Sequence, residues 1–181
     1  QLESEARAWW GVGKPVPAQV AAQVAAARAG GEALLVAAGD SHGRPHRAAT
    51  FAGLARYLES VPGPDAKRLA AADRDRLAVL AGDPDADIRA LALATLHLTA
   101  GAEPPVRRAL ARALTREGAH DFTLRSRWAV ALGYMGDRYA EAGDFSAART
   151  TYGRALEVMP ANARLLQSLG NAERSGGDYR A

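Results

Sequence analysis

The chain has 181 residues, 48% of them hydrophobic, 24% charged and 6% aromatic, with a formal net charge of +3 and no cysteine. That content suffices for a sizeable core in one or two domains, and the lack of cysteine excludes disulfides, thiolate metal sites and CxxCH haem attachment. No apolar run approaches the roughly 20 residues that a bilayer requires, and the basic residues, all arginine save Lys14 and Lys67, alternate with acids as in Arg68, Asp73, Arg74, Asp75 and Arg76, which reads as a solvated surface and not as a nucleic-acid patch.

Residues Gln1 to Arg7 are polar and lack a signal-peptide pattern, so a targeting sequence is absent or already removed. Trp9-Trp10-Gly11 then precedes the helix-breaking Lys14-Pro15-Val16-Pro17. This arm, residues 1–16, is a candidate docking element: one ring of Trp9 or Trp10 anchors it on the first hairpin, or the pair contacts a partner or further domain. Helical periodicity follows over 18–29, 45–59, 65–80 and 105–116, broken by Gly30-Gly31, Pro62-Gly63-Pro64, 101–105 and 118–121. Leu34-Leu35-Val36 is the only compact strand-like run, and the flanking alanines favour a short helix.

The clearest helix start is Asp83-Pro84-Asp85-Ala86-Asp87-Ile88-Arg89, whose acids cap the first turn while Ile88, Leu91, Ala92 and Thr95 form one inward side. The segment resembles a HEAT-like repeat. That resemblance implies that Arg89 reaches back toward neighbouring turns, and Arg47-Ala48-Ala49 offers the same pattern. The region 17–117 is therefore expected to be a set of HEAT-like helical hairpins.

After 118–121, Phe122, Leu124 and Trp128 begin a long helix that leads into Leu132, Met135, Gly136, Tyr139, Gly143, Asp144, Phe145, Ala148, Tyr152, Ala155 and Pro160. Each position has a physical use. Gly136, Ala148 and Ala155 let two helices nest closely, Gly143 and Asp144 stop one helix and cap the next, and Pro160 ends the second. This spacing resembles a complete tetratricopeptide repeat over 129–162. The template restarts at Ala163 with Leu166, Leu169, Gly170, Gly177, Asp178 and Tyr179, a truncated repeat over 163–181 in which Glu173 replaces the tyrosine. An open apolar end is predicted there, and with it a longer native protein. The expected fold is all-α, a right-handed α-α superhelix, with repeats 118–181 following the hairpins without a flexible hinge.

A stacked repeat of this kind implies an interaction scaffold. Its inner groove maps to Val130, Gly133, Asp137 and Glu141, then Arg164, Gln167 and Asn171. Gly133 and Asp137 stand where related co-chaperone repeats carry part of their lysine and asparagine clamp, so no clamp for a C-terminal carboxylate is expected.

Residues 6–58, with Arg7-Ala8-Trp9-Trp10-Gly11, Ala25-Ala26-Ala27-Arg28-Ala29-Gly30 and Arg44-Pro45-His46-Arg47-Ala48-Ala49, together with the order of the later parts, are similar to bacterial multihaem c-type cytochromes carrying HEAT-like and tetratricopeptide repeats. The resemblance implies a periplasmic or extracellular scaffold beside or within an electron-transfer assembly, with c-type cytochrome subunits as partners. This chain binds no cofactor on that reading; haem c would sit on a missing N-terminal region or on a partner. The other reading is a general tetratricopeptide adaptor, cytoplasmic, that binds peptide segments in its groove.

No catalytic constellation emerges. His42 and His46 are four apart, but Gly43 and Pro45 argue against a regular helix between them. His97 reads as a packed ring in an apolar helix, and His120 as a ring at a turn. Gly11-Val12-Gly13-Lys14 lacks phosphate-loop spacing, and Asp83 and Asp85 read as caps. No catalytic, cofactor or metal residue is assigned, and the chain is expected not to be an enzyme.

Overall fold

The computed structural model describes residues 44–66, 69–115 and 119–177. Among them, regular structure is entirely helical: α1 Arg44–Glu59, α2 Ala71–Leu80, α3 Ala86–Ala100, α4 Pro104–Thr115, α5 Ala119–Glu141, α6 Phe145–Val158 and α7 Ala163–Ser175. None of these helices is long and apolar enough to cross a membrane. The expected helix 18–29, the run 34–36, the tryptophan arm, His42 and the Gly11-Val12-Gly13-Lys14 run lie outside the described residues.

The centre of the molecule is α3, because its alanine- and leucine-rich sequence has no polar face to expose. Every residue from Ala92 to Ala100 is buried, and α1, α2, α4, α5 and α6 all pack against it. The two buried threonines on this helix are satisfied within it: the hydroxyls of Thr95 and Thr99 donate to the carbonyls of Leu91 and Thr95, each at 2.7 Å. Its start follows the expected chemistry. Asp85 Oδ1 accepts from the amides of Asp87 (2.8 Å) and Ile88 (3.4 Å), and Asp83 Oδ1 accepts from the Asp85 amide at 2.8 Å. Arg89 Nη1 turns back to the carbonyls of Asp83 (2.8 Å) and Pro84 (3.2 Å), which locks the preceding turn onto the helix.

The predicted helix over 65–80 is shorter than its pattern. Residues 62–66 form a turn in which Asp65 takes a left-handed φ of 54°, and helix α2 begins only at Ala71. The reason is tertiary: the Asp65 amide donates to the Leu98 carbonyl at 3.1 Å, which holds the turn against the end of α3. Arg74 then pairs with Glu103 at 2.7 Å, pinning α2 to the turn between α3 and α4. Another difference lies at 118–121, read as a break, where α5 already starts at Ala119 and places His120 in its first turn.

Helices α5 and α6 form a closely packed hairpin around Leu132, Met135, Ala148, Tyr152 and Ala155, all buried. Gly143 makes the turn at φ 80°, a conformation that costs a side chain dearly, and Asp144 caps α6 by accepting from the Ala147 amide at 2.9 Å. A Cβ on Gly136 would stand 2.5 Å from Cε1 of Tyr152, so this glycine sets how near the two helices approach. Asn162 caps α7 through the Leu165 amide at 3.1 Å. The hairpin shares one core with the preceding helices: Trp128 is fully buried, and the Tyr139 hydroxyl donates to the Val61 carbonyl at 2.9 Å. Burial pushes the Tyr139 phenol up to about 12.

Candidate partner-binding groove

Helix α5 is half submerged, with Trp128, Leu132 and Met135 facing the core while Val130 and Tyr134 lie on its outer side. Positions 130 and 134 are four apart, so they stack on one face of the helix. Val130 is 63% exposed, Tyr134 48% and, across on α1, Phe51 43%. These three are half of the exposed large apolar side chains among the described residues, and they surround one depression.

Two depressions meet at Val130 and Tyr134. The larger, of about 390 Å³, runs between α1, α3 and α5, where Phe51, Ala55 and Leu58 face Ala90, Leu91 and Ala131. Paired charges mark its rim: Arg127 with Asp87 at 2.9 Å, and Glu59 with the Tyr134 hydroxyl at 3.1 Å and Arg138 at 3.8 Å. These pairs are solvent-exposed and worth little to stability. Their effect is to leave the rim without a net charge of either sign. The smaller depression, of about 180 Å³, lies between α5 and α7 and is lined by Gly133 and Asp137 on one side and Asn162, Arg164, Leu165 and Ser168 on the other.

Of the groove residues expected from the sequence, Val130, Asp137 and Arg164 line these depressions, and Gly133 forms part of a floor. Gly133 is buried because α7 closes on it: a Cβ there would stand 3.0 Å from Leu165 Cδ2. Asp137 is internally engaged, accepting from the Tyr152 hydroxyl at 2.7 Å and from Arg164 Nη2 at 3.0 Å. Burial and this carboxylate together push the Tyr152 phenol well above its ordinary range, so it stays a neutral donor. Glu141, Gln167 and Asn171 are exposed and line neither depression, and Asn171 accepts from Arg174 on its own helix. Trp9 and Trp10 lie outside the described residues.

Phe51, Leu91 and Tyr134 were not among the residues expected to line a groove. Tyr134 could have been found from its register with Val130 on the outer face of α5. Phe51 and Leu91 could not, since they join the groove only through the packing of α1 and α3 on α5.

The histidine that sequence reading placed in an apolar helix is a packed ring. His97 is buried on α3, edge-on to Trp128 at 5.6 Å between centroids and 65° between planes. Its Nε2 lies 3.1 Å from Glu157 Oε2. Burial lowers its pKa below the ordinary 6.5, the nearby Arg154 adds to that, and Glu157 opposes it. Among the described residues no three His, Cys, Asp or Glu side chains are grouped to hold a metal. Compared with protein-family models, curated proteins and solved structures, the chain matches none of them.

Proposed function

We propose that this chain is a non-catalytic interaction scaffold, a right-handed α-α superhelix of HEAT-like hairpins and tetratricopeptide repeats that holds a protein segment in the groove centred on Val130 and Tyr134. The observation that carries the reading is the conjunction of exposed Phe51, Val130 and Tyr134 around one depression of about 390 Å³ whose rim charges are already paired. Apolar contacts supply affinity in such a groove, and a rim of compensated charges does not repel an uncharged ligand. The occupant is a segment with one or two large apolar anchors. Selection from a random peptide library on the full chain tests this: enrichment of aromatic or aliphatic anchors supports it, and no enrichment, or enrichment of acidic peptides without anchors, counts against it.

The setting we propose is an exported multihaem assembly, with this chain as a repeat domain or accessory subunit of a c-type cytochrome. Support comes from the resemblance of residues 6–58 and from the order of the later segments. Intact mass and a visible spectrum on protein from the native source decide it: a c-type haem spectrum on the same polypeptide, or on a copurifying partner, agrees, and a colourless chain without haem partners points to the general adaptor. The groove takes Phe51, Ala55 and Leu58 from the segment that carries the cytochrome resemblance and the rest of its lining from residues 59–168, so its geometry serves either reading.

A further inference from the structure

Helix α4 departs from the paired charges of α5, α6 and α7. It carries Arg107, Arg108 and Arg112, all exposed, and no acid. The whole chain has 23 basic and 20 acidic side chains, so without these three arginines the two counts would be equal. The formal excess of +3 therefore matches the charge of this one helix. It packs on α3 with Val106 and Leu110 buried. Helical spacing puts Arg108 and Arg112, four residues apart, on the opposite side, with Arg107 and the small, exposed Ala111 beside them.

Among the described residues nothing neutralises this face. Arg127, Arg138, Arg154 and Arg164 each meet a carboxylate, whereas Arg107, Arg108 and Arg112 have no such partner. The acid best placed to reach Arg107 is Glu103, four positions earlier, and Arg74 of α2 holds it at 2.7 Å. No acid stands in the first turn of α4, where the helix dipole would favour one. Arg108 and Arg112 repel each other across one turn. By itself this arrangement disfavours the helix that bears it, and an anionic ligand would turn the repulsion into attraction.

We infer that the Arg107, Arg108 and Arg112 face of α4 is a second interaction surface and that it takes an acidic helical segment of a partner protein. It is separate from the groove at Val130, since no residue of α4 lines either depression. Guanidinium forks pair bidentately with carboxylates. Two carboxylates four residues apart on a partner helix have a rise of about 6 Å, the same as that between Arg108 and Arg112. A lipid surface fits less well, because a helix that lies in a membrane inserts its apolar side, and the apolar side of α4 is already buried within the fold. Nucleic acid fits less well too, because α4 offers no aromatic ring for stacking and its basic face is only two turns long.

The test uses the full chain and a fluorescent alanine-based helical peptide with glutamate at every fourth position, followed by anisotropy, beside the same peptide with glutamine in those places. Saturable binding is expected for the glutamate form only, and it should weaken at least tenfold as ionic strength rises from about 0.05 M to about 0.3 M. Arg108→Gln combined with Arg112→Gln should lower the affinity at least tenfold. Arg47→Gln combined with Arg56→Gln removes the same charge from exposed positions of α1 and should change the affinity less than twofold. Thermal melts should show both double variants as stable as the parent chain, because the four side chains are exposed. Absence of saturable binding of the glutamate peptide, or an equal loss in the two double variants, overturns the inference. So does a DNA duplex or a phosphatidylglycerol vesicle that binds the chain more tightly than the peptide and loses that binding in the Arg108→Gln, Arg112→Gln variant, since the surface would then belong to nucleic acid or lipid.

Discussion

Arg154 of α6 donates through Nη1 to the carbonyls of His97 at 2.7 Å and Leu98 at 2.6 Å, placing a guanidinium on the C-terminal turn of α3. The same side chain pairs with Asp65, in the turn that follows α1. One cation thus joins three parts of the chain that are distant in sequence, at the end of a helix where positive charge is favoured. Removing it takes one donor from each carbonyl, of which that of Leu98 keeps the Asp65 amide, and deprives the Asp65 carboxylate of this cation. Arg154→Ala should destabilise the fold by about 3 kcal/mol, and Arg154→Lys should recover only part of this, since a point charge cannot reproduce the fork. Urea unfolding followed by circular dichroism measures both.

The contact between Gly136 and Tyr152 gives a paired prediction. Gly136→Ala places a methyl group against a buried ring and should cost about 2 kcal/mol through overpacking. Gly170→Ala adds the same methyl group where it meets nothing, so helix propensity dominates and the chain should gain up to about 1 kcal/mol. Melting temperatures of the two variants should move in opposite directions.

Asp85 caps α3, the helix on which the others converge, so its loss should be felt globally. Asp85→Ala removes the acceptor of two backbone amides and should cost about 1 kcal/mol, while Asp85→Asn, which keeps an acceptor oxygen, should cost less. Chemical denaturation of the two variants separates the cap from a general loss of charge.

His97 makes stability depend on pH with a definite sign. Its pKa is depressed in the folded chain, chiefly by burial, so the unfolded chain binds the proton more readily. Stability from this group is complete above the ordinary value of 6.5, falls as pH drops below it, and levels off below the folded pKa. His97→Gln should remove this component: the difference in unfolding free energy between the parent chain and the variant should change across this window and be constant above about pH 7.5. A difference that stays constant through the window contradicts the assignment.

Much of this arrangement was legible before any coordinates. Asp85, Asp144 and Asn162 cap helices because short polar side chains next to apolar periodic runs have few other uses, and Asp85 and Asp144 were read as caps from their neighbours alone. Gly136 was recognised as a close approach, although its contact, the ring of Tyr152, is a fact of three dimensions. The late start of α2 was not legible, since the turn at Asp65 is held by the Leu98 carbonyl far along the chain. The groove was legible on α5 and α7 only in part. Local register identifies which residues of one helix face outward, but Phe51 and Leu91 come to the same depression through tertiary packing that no periodicity records. Asp137 shows the reverse: its register suggested an open groove position, and the structure finds it held by Tyr152 and Arg164.

On the proposed function, a partner segment sits in the apolar depression around Val130. Isothermal titration of a library-selected peptide against the parent chain and against Val130→Asp decides this, because Val130 is exposed and its replacement leaves the core untouched. Affinity should fall at least tenfold in the variant with the melting temperature unchanged. Equal affinity for the two proteins would contradict it and move the binding surface elsewhere on the molecule.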